Sequence, residues 1–268
     1  MPTVIANGTT LHYLVDDFTD PWVQPEVVLL HHAAGGSARH WTGWVPHLAR
    51  KYRVVRMDCR GHGESAAPAP DYQWDIRVLA GDVSELLKAL GVARAHFVGA
   101  SAGGIIGLQF AHDYPEQTAS LSLVAATARL GQTRVDFSKW VSAIRERGVR
   151  AWAMTDIEKR FNLERAPAGL VDWFADEVAK TPQSVVSTFV PYMSTTDLRD
   201  LLPHIAAPTL VLAAGADDIT PMEAQKELRD RMPKARLVVL EGMAHNIPVQ
   251  EPDRCAGEVL RFLEGLKG

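Results

Sequence analysis

The stretch "HFVGASAGG" (residues 96–104) decides the fold. Its apolar first half predicts a buried strand, and a helical stretch follows directly. The G-x-S-x-G pattern at 99–103 is typical of a serine on a sharp, strained turn from a strand into a helix. Small residues on both sides let the two elements pack closely enough to expose the hydroxyl. The sequence therefore predicts a nucleophilic Ser101 at the carboxyl end of a strand.

A glycine-rich turn between a strand and a helix also occurs in dinucleotide-binding proteins. That fingerprint requires G-x-G-x-x-G, whose second glycine lets a pyrophosphate approach the backbone. Ser101 stands where that glycine would be, and the first buried strands carry no such loop. We therefore expect no nucleotide and no other cofactor.

Other apolar runs of strand length lie on both sides of this turn. They are EVVLLHH (26–32), YRVVRMD (52–58), ASLSLVAAT (119–127), PTLVLAA (208–214) and ARLVVLE (235–241). Residues 74–90 carry apolar side chains at helical spacing, and Asn7-Gly8 between two short runs predicts a hairpin turn. Strands that alternate with helices predict an α/β fold with a mostly parallel sheet covered on both faces.

Residues 128–203 interrupt this alternation. The segment has no strand-like run, and aromatic residues recur in it, Trp140 and Trp152 among them. We interpret it as a lid of several helices inserted into a core domain formed by 1–127 and 204–268. Two roles stay open for the aromatic residues, packing of the lid onto the core and contact with a substrate. Trp140 and Trp152 are our candidate substrate-binding residues.

Ser101 needs partners to react. A serine hydroxyl becomes a good nucleophile when a histidine accepts its proton and a carboxylate orients that histidine. His245 follows the run at 235–241, and an acidic pair, Asp217 and Asp218, follows the run at 208–214. The carboxyl ends of parallel strands meet at one edge of a sheet, so the sequence predicts a serine–histidine–aspartate site there.

Together these segments resemble the α/β-hydrolase superfamily, in particular its lid-bearing esterases, lactonases and C–C hydrolases, over about residues 3–266. The matching motifs are VVLLHH (27–32), MDCRGHGES (57–65), VGASAGG (98–104), PTLVLAAGADDITP (208–221) and EGMAHNIPVQEP (241–252). The resemblance implies an α/β-hydrolase fold with a mostly parallel eight-stranded sheet, helices on both faces and a helical lid. It gives Ser101 the role of nucleophile and His245 that of general base.

The acid has to be chosen between two neighbours. Asp218 stands three residues after Gly215, which fits the family's G-x-x-D pattern. Counting from the start of the strand, or back four from Pro221, selects Asp217 instead. The second alignment needs no gap, so we predict that Asp217 is the acid and Asp218 a turn residue.

The resemblance also implies an oxyanion hole. Its donors would be the main-chain N–H groups of Ala102, directly after the nucleophile, and of Ala33, in the loop after LLHH. In the family the MDCRGHGES loop is mainly structural and supports the acid and histidine loops. We expect the same role for Arg60, His62 and Glu64.

His31 and His32 precede four small residues, AAGG (33–36). Adjacent side chains of a strand point to opposite faces, and no carboxylate or cysteine cluster completes a ligand set, so we predict no metal site. His31 matches a family histidine that supports the loop by hydrogen bonding. His32 stands where the family has glycine, and we predict that its φ is not positive. Its ring either faces the pocket, which makes it a candidate substrate-binding residue, or packs under the lid.

The bulk composition restricts partners and location. The chain has 268 residues, a formal net charge of -4 and an isoelectric point near 6.2, which argues against nucleic acid or an anionic membrane as a partner. Two distant cysteines favour reduced thiols, although a disulfide stays open. No signal peptide or membrane-spanning run stands out, so we expect a cytoplasmic protein. Nothing in the sequence indicates the oligomeric state.

The serine also restricts the chemistry. Haloalkane dehalogenases and most epoxide hydrolases of this fold use a carboxylate nucleophile, so Ser101 argues against both. The resemblance implies hydrolysis of a small carboxylic ester or lactone through an acyl-enzyme. A C–C bond hydrolase or a cofactor-free perhydrolase would use the same three residues, and a small-molecule receptor of the same fold stays open.

Overall fold

A computed structural model describes residues 2–130 and 133–267, and in it these residues form one eight-stranded sheet. The strands are β1 (Thr3–Ala6), β2 (Thr9–Asp16), β3 (Val27–His31), β4 (Arg53–Met57), β5 (Ala95–Ala100), β6 (Thr118–Val124), β7 (Thr209–Ala214) and β8 (Ala235–Leu240). Their order across the sheet is β1-β2-β4-β3-β5-β6-β7-β8. Neighbouring strands pair in parallel throughout the part β4-β3-β5-β6-β7-β8 of this order. Strand β2 is antiparallel to both β1 and β4. The predicted fold class is confirmed.

The predicted hairpin joins β1 and β2. Asn7 and Gly8 both have positive φ, 45° and 73°, which is the backbone geometry of a tight turn between antiparallel strands. The strand bounds elsewhere agree with the apolar runs to within three residues at either end. Apolar runs of this length reveal buried strands well, because both faces of a parallel sheet are covered.

Helices cover the two faces of the sheet and also fill the connection between β6 and β7. The α-helices are α1 (Val45–Leu48), α2 (Ile76–Ala89), α3 (Ala102–Asp113), α4 (Phe137–Met154), α5 (Ile157–Arg160), α6 (Leu170–Val178), α7 (Gln183–Thr195), α8 (Met222–Arg231), α9 (Ile247–Gln250) and α10 (Pro252–Glu264). Short 3-10 helices occupy Ala38–Trp44, Pro115–Gln117 and Arg199–His204.

The core has two layers, one on each face of the sheet. Leu29 of β3 and Phe97 of β5 pack into the layer beneath α2, α3 and α8. Their neighbours Leu30 and Val98 point the other way, into the layer beneath α1 and α10. This alternation within a continuously apolar strand follows from the two-residue period of β structure.

Helices α4 to α7 lie between β6 and β7 and enclose an apolar cluster of their own, which includes Trp140, Trp152 and Phe174. Asp136 accepts hydrogen bonds from the main-chain N–H groups of Ser138 and Lys139 and so begins α4. The segment that we predicted as a lid also contains residues 131 and 132, which lie outside the described residues.

Two further sequence-based expectations concern cysteines and membranes. Cys59 and Cys255 are both buried and unbridged. Of the helices within 2–130 and 133–267, none combines the length and the apolar character that crossing a membrane requires.

Candidate active site

Ser101 lies on the strained turn that the sequence predicts. Its φ of 50° and ψ of −116° are unusual for a residue with a side chain, and helix α3 begins directly after it. A Cβ on Gly103 would collide with the main-chain carbonyl oxygens of His31 and His32. The glycine thus lets the first turn of α3 approach the end of β3, which brings Ser101 next to the loop that follows His32.

Ser101, His245 and Asp217 form one hydrogen-bonded line. Nε2 of His245 lies 2.9 Å from Oγ of Ser101, and its Nδ1 lies 2.8 Å from Oδ2 of Asp217. A carboxylate only accepts hydrogen bonds, so Nδ1 carries the proton and Nε2 is left to accept the serine proton. The geometry is that of a serine nucleophile beside a general base.

The carboxylate of Asp217 is buried and fully hydrogen-bonded. Its Oδ1 accepts from the main-chain N–H groups of Ile219 and Thr220, each at 2.8 Å. Its Oδ2 accepts from the Thr220 hydroxyl at 2.6 Å as well as from His245. Thr220 was missed by the sequence analysis, although a threonine three residues after an aspartate in a tight loop is a signal for such a bond.

Asp218 lies away from the histidine. Its carboxylate is part-exposed and reaches Arg134 at 3.5 Å, and its carbonyl accepts from the N–H of Arg134. The structure therefore brings Asp217, and not Asp218, to His245.

The predicted oxyanion donors flank Ser101. Ala33 and Ala102 both line the same cavity as the serine. Ala102 is the first residue of α3, where a main-chain N–H has no acceptor within the helix. The carbonyl of Ala33 accepts from the N–H of Gly36 at 2.9 Å and from the ring of His32 at 2.7 Å, and these two bonds hold its loop in place.

His32 is not among the residues that line the cavity beside Ser101. The main-chain N–H of Cys59 donates to its Nε2 at 2.9 Å, so its Nδ1 is protonated and donates to the Ala33 carbonyl. The ring lies 5.2 Å from that of His62 and borders a separate space of about 20 Å³ behind the loop. Because both ring nitrogens are already engaged, His32 supports the loop at residues 33–36. Its φ is not positive, as predicted.

His31 does what the resemblance implies. Its Nδ1 donates to the carbonyl of His32 at 3.1 Å, and its ring stacks on Phe97 with centroids 6.0 Å apart. No group of three or more His, Cys, Asp or Glu side chains within the described ranges is arranged to hold a metal ion.

The 57–65 loop is structural, and none of its hydrogen bonds among the described residues goes to the acid or histidine loop, which we expected it to support. The buried carboxylate of Asp58 accepts from Nδ1 of His12 at 2.7 Å and from the N–H groups of Ala38 and Glu64. Through these bonds the loop joins β2 to the start of the 3-10 helix Ala38–Trp44.

Arg60 gives the same loop a second anchor. Its guanidinium forms a buried bidentate ion pair with Asp82 of α2, with N···O distances of 3.0 and 2.9 Å. His62 donates from Nδ1 to the Arg60 carbonyl and packs edge-on against Phe189. The loop thus connects β2 and α2 by buried hydrogen bonds.

Burial keeps the histidines around this loop neutral. It lowers the pKa of His31, His40 and His62 to about 4, and it lowers the pKa of His32 well below the ordinary value. The dominant cause in each case is removal of the imidazolium from water. At neutral pH these four rings are therefore uncharged.

A cavity of about 50 Å³ lies between Ser101 and the helices α4 to α7. Trp140 and Trp152, the candidate substrate-binding residues, line it together with other apolar side chains. A Cβ on Gly35, whose φ is 73°, would collide with the ring of Trp152, so the glycine lets this tryptophan approach the loop at residues 33–36.

Three polar residues of the cavity wall were missed by the sequence analysis. They are His40, Arg160 and Asn246. Arg160 belongs to a charged stretch, IEKR (157–160), that is typical of a solvated helix face, and only the tertiary structure reveals that its side chain is buried.

Comparison with known proteins agrees with this architecture. The sequence profile of a family described as "alpha/beta hydrolase fold" matches residues 26–252. The enol-lactonase from Burkholderia xenovorans LB400 is 30% identical in sequence and superposes with a TM-score of 0.88, covering 98% of this chain and 100% of that one. A hydrolase from Pseudomonas aeruginosa PA01 is also 30% identical, with a TM-score of 0.86 and coverage of 98% and 97%.

Curated sequences give a related result. A protein named as a carbamate hydrolase, RutD, from Caulobacter vibrioides is 28% identical over 260 residues, which cover 95% of this chain and 96% of that protein. The family profile matches far more than half of the sequence, and the fold agrees with it. The chain belongs to the α/β-hydrolase fold family.

Proposed function

We propose that this protein hydrolyses a small carboxylic ester or lactone through an acyl-enzyme on Ser101. The observation that carries the proposal is the hydrogen-bonded line from Ser101 through His245 to Asp217 at the wall of an apolar cavity. An enol-lactonase at 30% identity over nearly the whole chain supports a lactone or ester as the substrate.

The reaction runs in two steps. Oγ of Ser101 attacks the carbonyl carbon while its proton passes to Nε2 of His245, and the departing alkoxide then takes that proton. In the second step His245 accepts a proton from water, the water oxygen attacks the acyl carbon, and the proton returns to Ser101. An ester yields an acid and an alcohol, and a lactone yields one hydroxy acid.

The fixed hydrogen bonds of Asp217 suit this reaction. Four donors hold its carboxylate, so it keeps the Nδ1–H tautomer of His245 in place without moving itself. It also stabilises the imidazolium that forms when His245 takes the serine proton.

Ala33 and Ala102 would stabilise the oxyanion. Both lie at the cavity wall beside Ser101, and their main-chain N–H groups can donate to the negative oxygen of the tetrahedral intermediate. A donor of this kind is worth about 3–4 kcal/mol of transition-state stabilisation. The ring of His32 donates to the carbonyl of Ala33 and so holds the loop that carries this N–H donor. His32 would therefore act by positioning Ala33.

The helices α4 to α7 would select the substrate. We propose that residues 128–203 form a cap on a core of 1–127 and 204–268, with Trp140 and Trp152 contacting the substrate in the cavity. The small volume of the cavity favours a small-molecule substrate.

Purified protein should hydrolyse a short p-nitrophenyl ester or a small lactone, and Ser101→Ala should abolish turnover. Ser184→Ala, an exposed serine of α7 outside the cavity, is the matched control and should behave like the wild type. A panel of aryl esters, lactones, carbamates and dienone acids distinguishes the ester or lactone reaction from carbamate or C–C bond hydrolysis. Turnover that persists in Ser101→Ala would overturn the proposal.

A further inference from the structure

Arg160 is a buried cation in the wall of the cavity that contains Ser101. Only 5% of its surface is exposed, and no other arginine and no lysine, aspartate or glutamate of the described residues lines this cavity. No described carboxylate forms an ion pair with it: its hydrogen bonds go to the carbonyls of Thr155 and Trp152, and both are long at 3.4 Å.

The acidic neighbour of Arg160 is already engaged elsewhere. Asp156 binds Lys139 through one carboxylate oxygen and accepts from the indole N–H of Trp140 at 3.0 Å through the other. Burial lowers the pKa of Arg160 to about 10, so the guanidinium stays charged at neutral pH. A buried cation without a carboxylate partner is unfavourable unless something else compensates its charge.

Two tryptophans compensate part of this charge. The guanidinium carbon lies 4.3 Å from the ring centroid of Trp140 and 5.0 Å from that of Trp152, as in a cation–π contact. The two hydrogen bonds of Arg160 use its Nε and Nη2 atoms, so the N–H groups of Nη1 have no acceptor among the described residues. An anion binds a guanidinium through such N–H groups.

Arg160 is held at a fixed position relative to the catalytic histidine. The main-chain N–H of Asn246 donates to the carbonyl of Arg160 at 2.8 Å, and the N–H of His245 donates to the carbonyl of Lys159 at 3.3 Å. Helix α5 is thereby bonded directly to the loop that carries His245. A ligand on Arg160 would sit at a defined distance from the reacting serine.

Further hydrogen-bond donors in the same cavity wall have no protein partner. Nδ2 of Asn246 and Nε1 of Trp152 are both buried and without an acceptor among the described residues. A cavity that offers one cation and unpaired N–H donors, with no lining carboxylate, is complementary to an anion with several acceptor atoms.

We propose that Arg160 binds a free carboxylate of the substrate, so that the natural substrate is a small ester or lactone carrying a second, negatively charged carboxyl group. This inference rests on the proposed function and narrows it to a substrate class. The reacting carbonyl lies at Ser101 and the free carboxylate at Arg160, which fixes the orientation of the substrate before the attack.

The test compares esters with and without the charge. The substrates are the monoethyl esters of succinate, glutarate and adipate. Each is assayed beside the matching ethyl ester in which an amide replaces the free carboxylate. The wild type should prefer at least one carboxylate ester over its amide by tenfold or more in kcat/KM. Arg160→Gln should reduce this ratio to near one, and Arg160→Lys, which keeps the charge, should retain part of it.

Arg145→Gln is the matched control. Arg145 is an exposed arginine of α4 outside the cavity, so this variant loses the same charge and should keep the full preference. Equal turnover of every carboxylate ester and its amide by the wild type would overturn the inference and leave the proposed function intact.

Binding provides a readout that does not depend on turnover. In the Ser101→Ala variant, calorimetry should detect binding of succinate, glutarate or adipate, and the dicarboxylate should compete with the substrate ester. Adding Arg160→Gln should weaken the affinity for the dicarboxylate at least tenfold. If neither an ester nor a lactone is hydrolysed, the proposed function fails, and this measurement still decides whether Arg160 binds a carboxylate. Dicarboxylate affinity that is unchanged by Arg160→Gln would contradict the inference.

Discussion

Oδ2 of Asp217 lies 2.8 Å from Nδ1 of His245, whereas the carboxylate of the adjacent Asp218 faces Arg134. Two consecutive aspartates in one loop therefore have different environments. Three donors besides His245 hold the carboxylate of Asp217, and Asp218 is part-exposed. The two residues offer a matched pair of variants. The same substitution alters the hydrogen bond to His245 at position 217 and spares it at position 218.

Asp217→Asn should lower kcat by about a thousandfold to ten-thousandfold, because an amide can stabilise the wrong tautomer of His245 and cannot stabilise its imidazolium. Asp218→Asn should leave kcat within about twofold of the wild type, because its side chain is outside hydrogen-bond reach of the histidine. Steady-state kinetics on one ester checks both. The opposite ranking of the two variants would refute the assignment of the acid.

His32→Ala should destabilise the protein by about 2–4 kcal/mol, because it leaves the N–H of Cys59 without its buried acceptor and opens a cavity. His47→Ala, which removes a more exposed imidazole paired with Asp253, is the control and should change the free energy of unfolding far less. Urea unfolding measures both. Unchanged stability together with a raised KM would mean that His32 contacts substrate after all.

Arg60→Met should lower the free energy of unfolding by about 3–5 kcal/mol, because it leaves the buried carboxylate of Asp82 unpaired. The exposed pair of Arg50 with Asp20 provides the control, and Arg50→Met should lower it by less than about 1 kcal/mol. Adding Asp82→Leu to Arg60→Met should recover part of the loss. A double variant less stable than either single variant would contradict the ion-pair explanation.

The buried histidines should make the protein less stable in mild acid. Their pKa values in the folded protein lie below the ordinary value of 6.5, at about 4 for His31, His40 and His62. The unfolded chain therefore binds more protons, so this contribution to stability is complete above about pH 6.5 and declines as the pH falls towards about 4.

His62→Gln isolates one of these groups. It should reduce the dependence of the unfolding free energy on pH between about pH 6 and pH 5 by up to about 1.4 kcal/mol per pH unit, which corresponds to one proton. Urea unfolding at several pH values gives the slopes, and His47→Gln serves as the control on a more exposed ring. An unchanged slope in His62→Gln would show that His62 is not held neutral by the fold.

The sheet and the hydrogen-bonded arrangement of Ser101, His245 and Asp217 could be predicted from the sequence because their signals are local. Buried parallel strands appear as short apolar runs, and the small residues on both sides of Ser101 indicate the sharp turn that requires them. Asp217 and His245 each directly follow a strand or its closing turn, so the topology of a parallel sheet brings them together. Asn7-Gly8 likewise fixed the position of the hairpin by its backbone preference alone.

The residues that the sequence did not reveal depend on distant partners. His32 is oriented by the N–H of Cys59, twenty-seven residues away, and nothing near His32 indicates that bond. Arg160 belongs to a stretch that looks solvated, and it is buried only because α5 is bonded to the loop of His245 and two tryptophans cover its guanidinium. Tertiary contacts of this kind leave no periodicity in the sequence.

The central claim is that Ser101 is the nucleophile, activated by His245. The most direct measurement is covalent labelling by a fluorophosphonate, followed by peptide mass spectrometry to locate the modified residue. We expect one label per chain on Ser101, its loss in Ser101→Ala, and strongly slowed labelling in His245→Ala, while Ser184→Ala labels like the wild type. Absence of labelling in the wild-type protein, or a label on another residue that persists in Ser101→Ala, would contradict the account.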